Sequence, residues 1–115
     1  MYERKIPINL DCGLVVTLSL IGGKWKPCLI KAIRDGLHRP VEMQREIPLA
    51  NKRVLTQQLN ALEKVGIVYK VVYPVLPAKV EYFLTDLGES LLPIIKMMDE
   101  WGQNHRHLLE KCDDL

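Results

Sequence analysis

The sequence has no apolar run approaching the roughly 20 residues that a bilayer-spanning helix needs, and its opening, MYERKIPINLDCG, lacks the apolar middle of a secretory signal. These absences predict a cytoplasmic protein with no membrane partner. The three cysteines, Cys12, Cys28 and Cys112, are odd in number, far apart and free of any C-x-x-C pair, which argues against a disulfide framework and a structural zinc site and suits a reducing compartment. No internal repeat, low-complexity stretch or Gly-rich phosphate loop is found. Catalytic material is equally scarce. His38, His105 and His107 have no nearby motif partner to serve as acid, base or nucleophile. His105 and His107 with Cys112 make a poor metal set, because residues two apart on a helix do not face each other. No enzymatic activity, cofactor or metal is therefore expected.

What is there is enough for one core. The chain has 115 residues, 48% of them hydrophobic, which predicts a single domain over 1–115 that needs no covalent staples. Net charge is only +2, but residues 22–79 carry 11 Lys+Arg against 4 Asp+Glu, whereas residues 80–115 carry 3 against 8. A basic middle with an acidic end points to a nucleic-acid face rather than a membrane surface.

Along the chain, residues 1–12 show no steady period and read as an N-terminal arm. LVVTLSLIGG is an apolar run stopped by two glycines and fits a short helix. KWKPCLIKAIRDG places Trp25, Leu29, Ala32 and Ile33 on one face of a core helix, with Cys28 on its apolar side as a small core residue. Pro40 opens a short helix whose Met43 and Ile47 lie four apart, and Pro48 closes it. Asn51 is a good N-cap for a following helix that should end at Gly66, so a helix-turn-helix is predicted. IVYKVVYP and KVEYFLT, rich in β-branched and aromatic residues and separated by VLPA, read as a hairpin. Thr85 should cap a last helix over 86–112, carrying a stripe of Leu87, Leu91, Ile94, Met98, Trp101, His105 and Leu108. Pro93 should kink that helix or confine regular hydrogen bonding to either side.

The helix NKRVLTQQLNALEKVG carries the functional signal. Leu59 and Leu62 fall within about 40° of Leu55 on a 100° wheel, and Arg53, Gln57, Asn60 and Lys64 gather at the opposite pole with Thr56 beside them. Gln58 lies close to the apolar side, as a boundary residue in need of a hydrogen-bond partner. Solubility alone would be served by Glu and Lys pairs. Arg, Thr, Gln and Asn instead carry the donors and acceptors that match base edges and phosphates. In a helix-turn-helix the N-terminal part of the second helix enters the major groove, so Lys52, Arg53, Thr56 and Gln57, with Asn51 at the cap, are the candidate base readers, and Asn60 and Lys64 sit nearer the backbone. A wing carrying Lys70, Tyr73 and Lys79 would reach neighbouring phosphates and position the protein. Lys24, Lys26, Arg39 and Arg45 are further candidates for backbone contact.

IGGKW (21–25), RPVEM (39–43), VLTQQLNALEKVGIV (54–68), VEYFLTDLGESLLP (80–93) and the late EW (100–101) are similar, in order and spacing, to the HxlR-type winged helix-turn-helix transcriptional regulators, relatives of the MarR group. The resemblance covers roughly residues 12–102. It implies a mainly α fold with a small β-hairpin wing (α+β), and a prokaryotic homodimer that binds double-stranded operator DNA, often as a repressor. It places the recognition helix at 51–65, the wing at 68–85, and dimerisation through the first and last helices, with Leu91, Ile94, Met98 and Trp101 in the seam. The sequence departs from the family's pattern at Pro40, where an aromatic is usual, and near Ala50, where a larger aliphatic is usual, which bears on the packing beneath the short helix. Some members sense electrophiles or oxidants through a cysteine near the N-terminus, and Cys12 occupies the matching position. A structural thiol there is the plainer alternative. A small-molecule or redox effector is thus left open by the resemblance. The rival to DNA binding is a winged helix used as a protein interaction module, whose last helix pairs with a partner while the polar face never meets a duplex.

Overall fold

The computed structural model describes residues 10–110. In chain order these form α1 (Gly13–Ile21), α2 (Lys26–Arg34), α3 (Pro40–Glu46), α4 (Lys52–Lys64), β1 (Val68–Tyr73), β2 (Lys79–Leu84), α5 (Asp86–Glu89), α6 (Leu92–Asn104) and α7 (His107–Glu110). The predicted arm at 1–12 lies mostly outside the described residues, as does Cys112.

Leu29, Ile30 and Ile33 of α2, Met43 of α3, and Leu55, Leu59 and Leu62 of α4 form the centre of the core. Each leucine of α4 is fully buried, so the apolar stripe in the sequence is the face by which this helix is held. The turn joining α3 to α4 is fastened by Gln44 Nε2, which donates to the Ala50 carbonyl at 3.2 Å. Ala50 is itself buried. α3 starts at Pro40, and Glu42 accepts from the Arg39 backbone N–H at 3.1 Å, occupying one of the donors left free at that end.

The hairpin follows directly. Gly66, at φ +83, takes the left-handed conformation that ends α4 and turns the chain into β1. β1 and β2 pair antiparallel, with Val68 opposite Leu84 and Tyr73 opposite Lys79. On the outer side of β2, the Tyr82 N–H donates to the His38 carbonyl at 2.8 Å, and His38 Nδ1 lies 3.0 Å from the Tyr82 carbonyl oxygen. The loop after α2 therefore grips the free edge of the wing at one residue.

Thr85 joins the hairpin to the helices beyond it. Its hydroxyl donates to the Gly66 carbonyl at 2.5 Å and accepts from the Gly88 N–H at 3.1 Å. Gly88 packs so tightly on the base of β1 that a Cβ there would fall 2.2 Å from the Ile67 carbonyl oxygen.

Two expectations need correction. The last helix is not continuous over 86–112: the described residues form α5, α6 and α7, interrupted around Ser90 and Leu91 and again around His105 and Arg106. Pro93 sits in the first turn of α6, where its missing N–H costs nothing, and this placement requires the helix before it to end. The residue by which α6 enters the core is Ile95, outside the predicted stripe. Ile94, Met98 and Trp101 of the stripe are exposed, and Leu91 is half-buried against the core. Cys28 is also exposed rather than part of the core, facing a groove lined by Trp25, Leu37, Leu49 and Gln103. Leu29, Ile30 and Ile33 supply the buried side of α2, leaving position 28 on its flank.

Candidate nucleic-acid interface

The polar side of α4 is turned away from the core. Asn51, Lys52, Arg53, Gln57, Asn60 and Lys64 are exposed and Thr56 is half-buried. Among the described residues no ion pair engages Lys52, Arg53 or Lys64. The two ends of this face differ in how free their side chains are. Asn51 Oδ1 accepts from the Val54 N–H at 2.8 Å, so Asn51 is the helix cap that the sequence predicts and its oxygen is occupied by that bond. Thr56 Oγ1 donates back to the Lys52 carbonyl at 2.8 Å, which leaves the hydroxyl oxygen as an acceptor. Arg53 and Gln57, one turn apart, project from the first half of the helix near its positive end, where unpaired backbone N–H groups and cationic side chains favour an anion.

The wing sets one cation beside this face. Lys70 Nζ on β1 lies 3.6 Å from Glu63 Oε1 on α4. Lys79 Nζ lies 5.0 Å from the centre of the Tyr73 ring, across the hairpin pair at the outer end of the wing. The Glu81 carboxylate, with desolvation adding to it, holds the Tyr73 phenol above its ordinary pKa. Lys24 Nζ rests 5.2 Å from the Trp25 ring, in the turn between α1 and α2, and Arg39 is exposed at the start of α3. These cations sit on separate elements, and Lys70 is in contact with α4 through Glu63.

Two features of the site go beyond the sequence pattern, one unforeseen by it and one only half legible in it. Asn60 is not free: the Tyr82 hydroxyl donates to Asn60 Oδ1 at 3.2 Å. Burial and the nearby Glu63 charge both raise the Tyr82 pKa, keeping this hydroxyl protonated. Only the alternation of β2 could have pointed to it, since Tyr82 falls on the inward side of that strand. The second is Gln58, whose Oε1 is buried without a hydrogen-bond partner among the described residues, 3.8 Å from where a Cβ on Gly23 would stand. The need for a partner was legible in the wheel, and the structure supplies none from the protein.

A helix held by three leucines, an outward cationic and amide face, and a cation-bearing hairpin beside it make a surface suited to a phosphate backbone and a groove. No helix among the described residues is long and apolar enough to cross a membrane alone. No cluster of three His, Cys, Asp or Glu side chains suited to a metal occurs among them.

Known proteins share this plan. Residues 20–110 match the model of the HxlR-like helix-turn-helix family. A Bacillus subtilis (strain 168) chain named HTH-type transcriptional regulator YybR is 45% identical over 112 residues, spanning 96% of this chain and 90% of that one. The solved structure of the redox regulator HypR in its reduced form superposes with a TM-score of 0.79 at 45% identity, covering 86% of this chain and 98% of that one. Its oxidised form does so with a TM-score of 0.76 at 46% identity, covering 82% and 97%. The chain therefore belongs to the HxlR-like helix-turn-helix family and is a DNA-binding transcription regulator with a winged helix-turn-helix fold.

Proposed function

We propose that the chain works as a homodimer that reads a near-palindromic operator, laying α4 of each copy in the major groove and the wing at 68–85 along the adjacent backbone. The observation that carries this reading is the α4 face, exposed and rich in groups that its own protein leaves unsatisfied. Lys52, Arg53, Thr56 and Gln57 then face base edges and near phosphates, with Asn51 holding the helix start. Asn60, Lys64, Lys70 and Lys79 serve the backbone, and Lys24 and Arg39 extend the contact. The activity is binding without catalysis, repression is the output expected when such a complex covers a promoter, and the cytoplasm of a prokaryote is where its DNA is reached.

The dimer seam belongs to α1 and α6. Leu14 and Leu18 on α1 are 76% and 60% exposed, and Ile94, Met98 and Trp101 on α6 are 44%, 46% and 62% exposed, with Leu91 half-buried just before them. These exposed apolar side chains lie on the two helices through which the family resemblance implies dimerisation. The family's dimeric habit and the charge of the α4 face make a second copy the fitting partner. Two copies joined there would hold their recognition helices about 34 Å apart, one helical turn of DNA.

Cys12 stands at the N-cap position of α1, half-buried and next to this seam. HypR is named a redox regulator and is known in both reduced and oxidised forms. By that likeness Cys12 is the candidate redox sensor here, its modification acting on the packing of α1.

Footprinting of the protein on the promoters flanking its own gene tests the whole reading. Protection of two half-sites in successive major grooves is expected, with affinity falling steeply as salt rises because each neutralised phosphate releases counterions. The same footprint with an oxidant, on the parent protein and on Cys12→Ser, tests the sensor. A complex insensitive to salt contradicts the phosphate contacts, and a Cys12→Ser protein that responds like the parent removes Cys12 as the sensor.

A further inference from the structure

Asn60 lies on the exposed face of α4, yet its amide oxygen is occupied by the Tyr82 hydroxyl, 3.2 Å away on β2. Tyr82 has little freedom. It is 3% exposed, its N–H and carbonyl are both engaged by His38, and it sits across the hairpin from Lys70. A buried phenol proton needs an acceptor, and Asn60 Oδ1 receives it. That bond holds the amide with its oxygen inward, and burial with the Glu63 charge disfavours loss of the proton that makes it. The Nδ2 group is then what Asn60 offers to a partner outside the protein. A free asparagine reads adenine by presenting its donor and its acceptor to one base edge at once, and an amide whose oxygen is turned toward Tyr82 does not present both outward. Its remaining donor suits a phosphate oxygen. We infer that Tyr82 is a positioning residue that fixes Asn60 as a donor to the DNA backbone, so that Asn60 sets the register of the recognition helix and reads no base. This rests on the α4 face meeting a duplex, as proposed above.

The probe is a duplex that the parent protein selects from a random pool, remade with single neutral methylphosphonates along each strand. For the parent, one methylphosphonate per half-site should weaken binding roughly three- to tenfold through Asn60, the worth of one hydrogen bond. Asn60→Ala should bind less tightly and lose that sensitivity. Tyr82→Phe, which keeps the ring, should show the same loss, and adding it to Asn60→Ala should weaken binding no further. In the free protein, the side-chain amide resonances of Asn60 should shift in Tyr82→Phe. If Tyr82→Phe costs the same affinity with and without Asn60, Tyr82 acts only through the fold and the inference falls. It falls equally if Asn60→Ala relaxes the preference at one base pair and leaves every phosphate sensitivity intact. A parent protein that binds no duplex overturns the DNA reading as well, which separates that failure from the others.

Discussion

Glu63 on α4 and Lys70 on β1 lie 3.6 Å apart, carboxylate to ammonium, so the single acid of α4 ties that helix to the wing. Both side chains are more than one-third exposed or close to it, so the pair adds little to stability, about 0.5 kcal/mol or less. Its greater effect is on where the Lys70 charge is held. Glu63→Gln should leave the melting temperature nearly unchanged, tighten binding at low salt, and steepen the salt dependence by up to one phosphate's worth, a slope change of about 0.9. Affinities measured over a salt series check this. Weaker binding by the variant would mean that the pair orients Lys70 rather than restraining it.

Gly88 and the base of β1 meet at backbone distance. A Cβ at Gly88 would stand 2.2 Å from the Ile67 carbonyl oxygen and 3.2 Å from a methyl carbon of Leu84. Gly88→Ala must push α5 off the hairpin, and chemical denaturation should show a loss of about 1–3 kcal/mol. A variant as stable as the parent would show that α5 can shift freely.

Asn51 combines a cap with a position at the front of the proposed DNA face, and two substitutions separate the roles. Asn51→Ala loses the bond to the Val54 N–H and should cost about 1 kcal/mol in denaturation. Asn51→Asp keeps a cap oxygen and a favourable charge at the helix start, so stability should hold within a few tenths of a kcal/mol. Its carboxylate would face phosphates, and DNA affinity should fall. Equal DNA affinity in Asn51→Asp and the parent would remove Asn51 from the interface.

Tyr82 gives the fold an alkaline limit. Its pKa is raised above 10.0 by burial first and by the Glu63 charge second. Below that ordinary value both folded and unfolded chains are protonated and the group's contribution is fully present. As pH rises through it the unfolded chain ionises first, and stability declines until the folded phenol ionises too. Urea midpoints should therefore fall above pH 10 in the parent and fall less in Tyr82→Phe. Parallel curves for the two proteins would place the alkaline loss elsewhere.

Much of this architecture was legible because local rules and the fold agree. The leucines of α4, the Asn51 and Thr85 caps, the Gly66 stop and the alternating strands each act within one turn or one strand, where sequence periodicity records the outcome. The misses come from distance. Whether Leu87 to Leu108 forms one helix depends on how Pro93 meets the preceding turn, and whether Cys28 is buried depends on what packs on the flank of α2. The Tyr82 hydroxyl reaches Asn60 across 22 positions of sequence, a partnership that no spacing rule encodes. The candidate site was visible as a face; which of its groups are already occupied was not.

Charge reversal at Arg53 decides whether the polar face of α4 meets DNA. Arg53 is exposed on α4 with no ion pair among the described residues, so Arg53→Glu should leave the melting temperature and the dimer unaltered. Sedimentation and a binding titration on the same preparation decide the matter. The account predicts an intact dimer whose affinity for the selected duplex falls on the order of a hundredfold, through loss of a base or phosphate contact and added repulsion. An intact dimer that binds the duplex as tightly as the parent would show that this face never touches DNA.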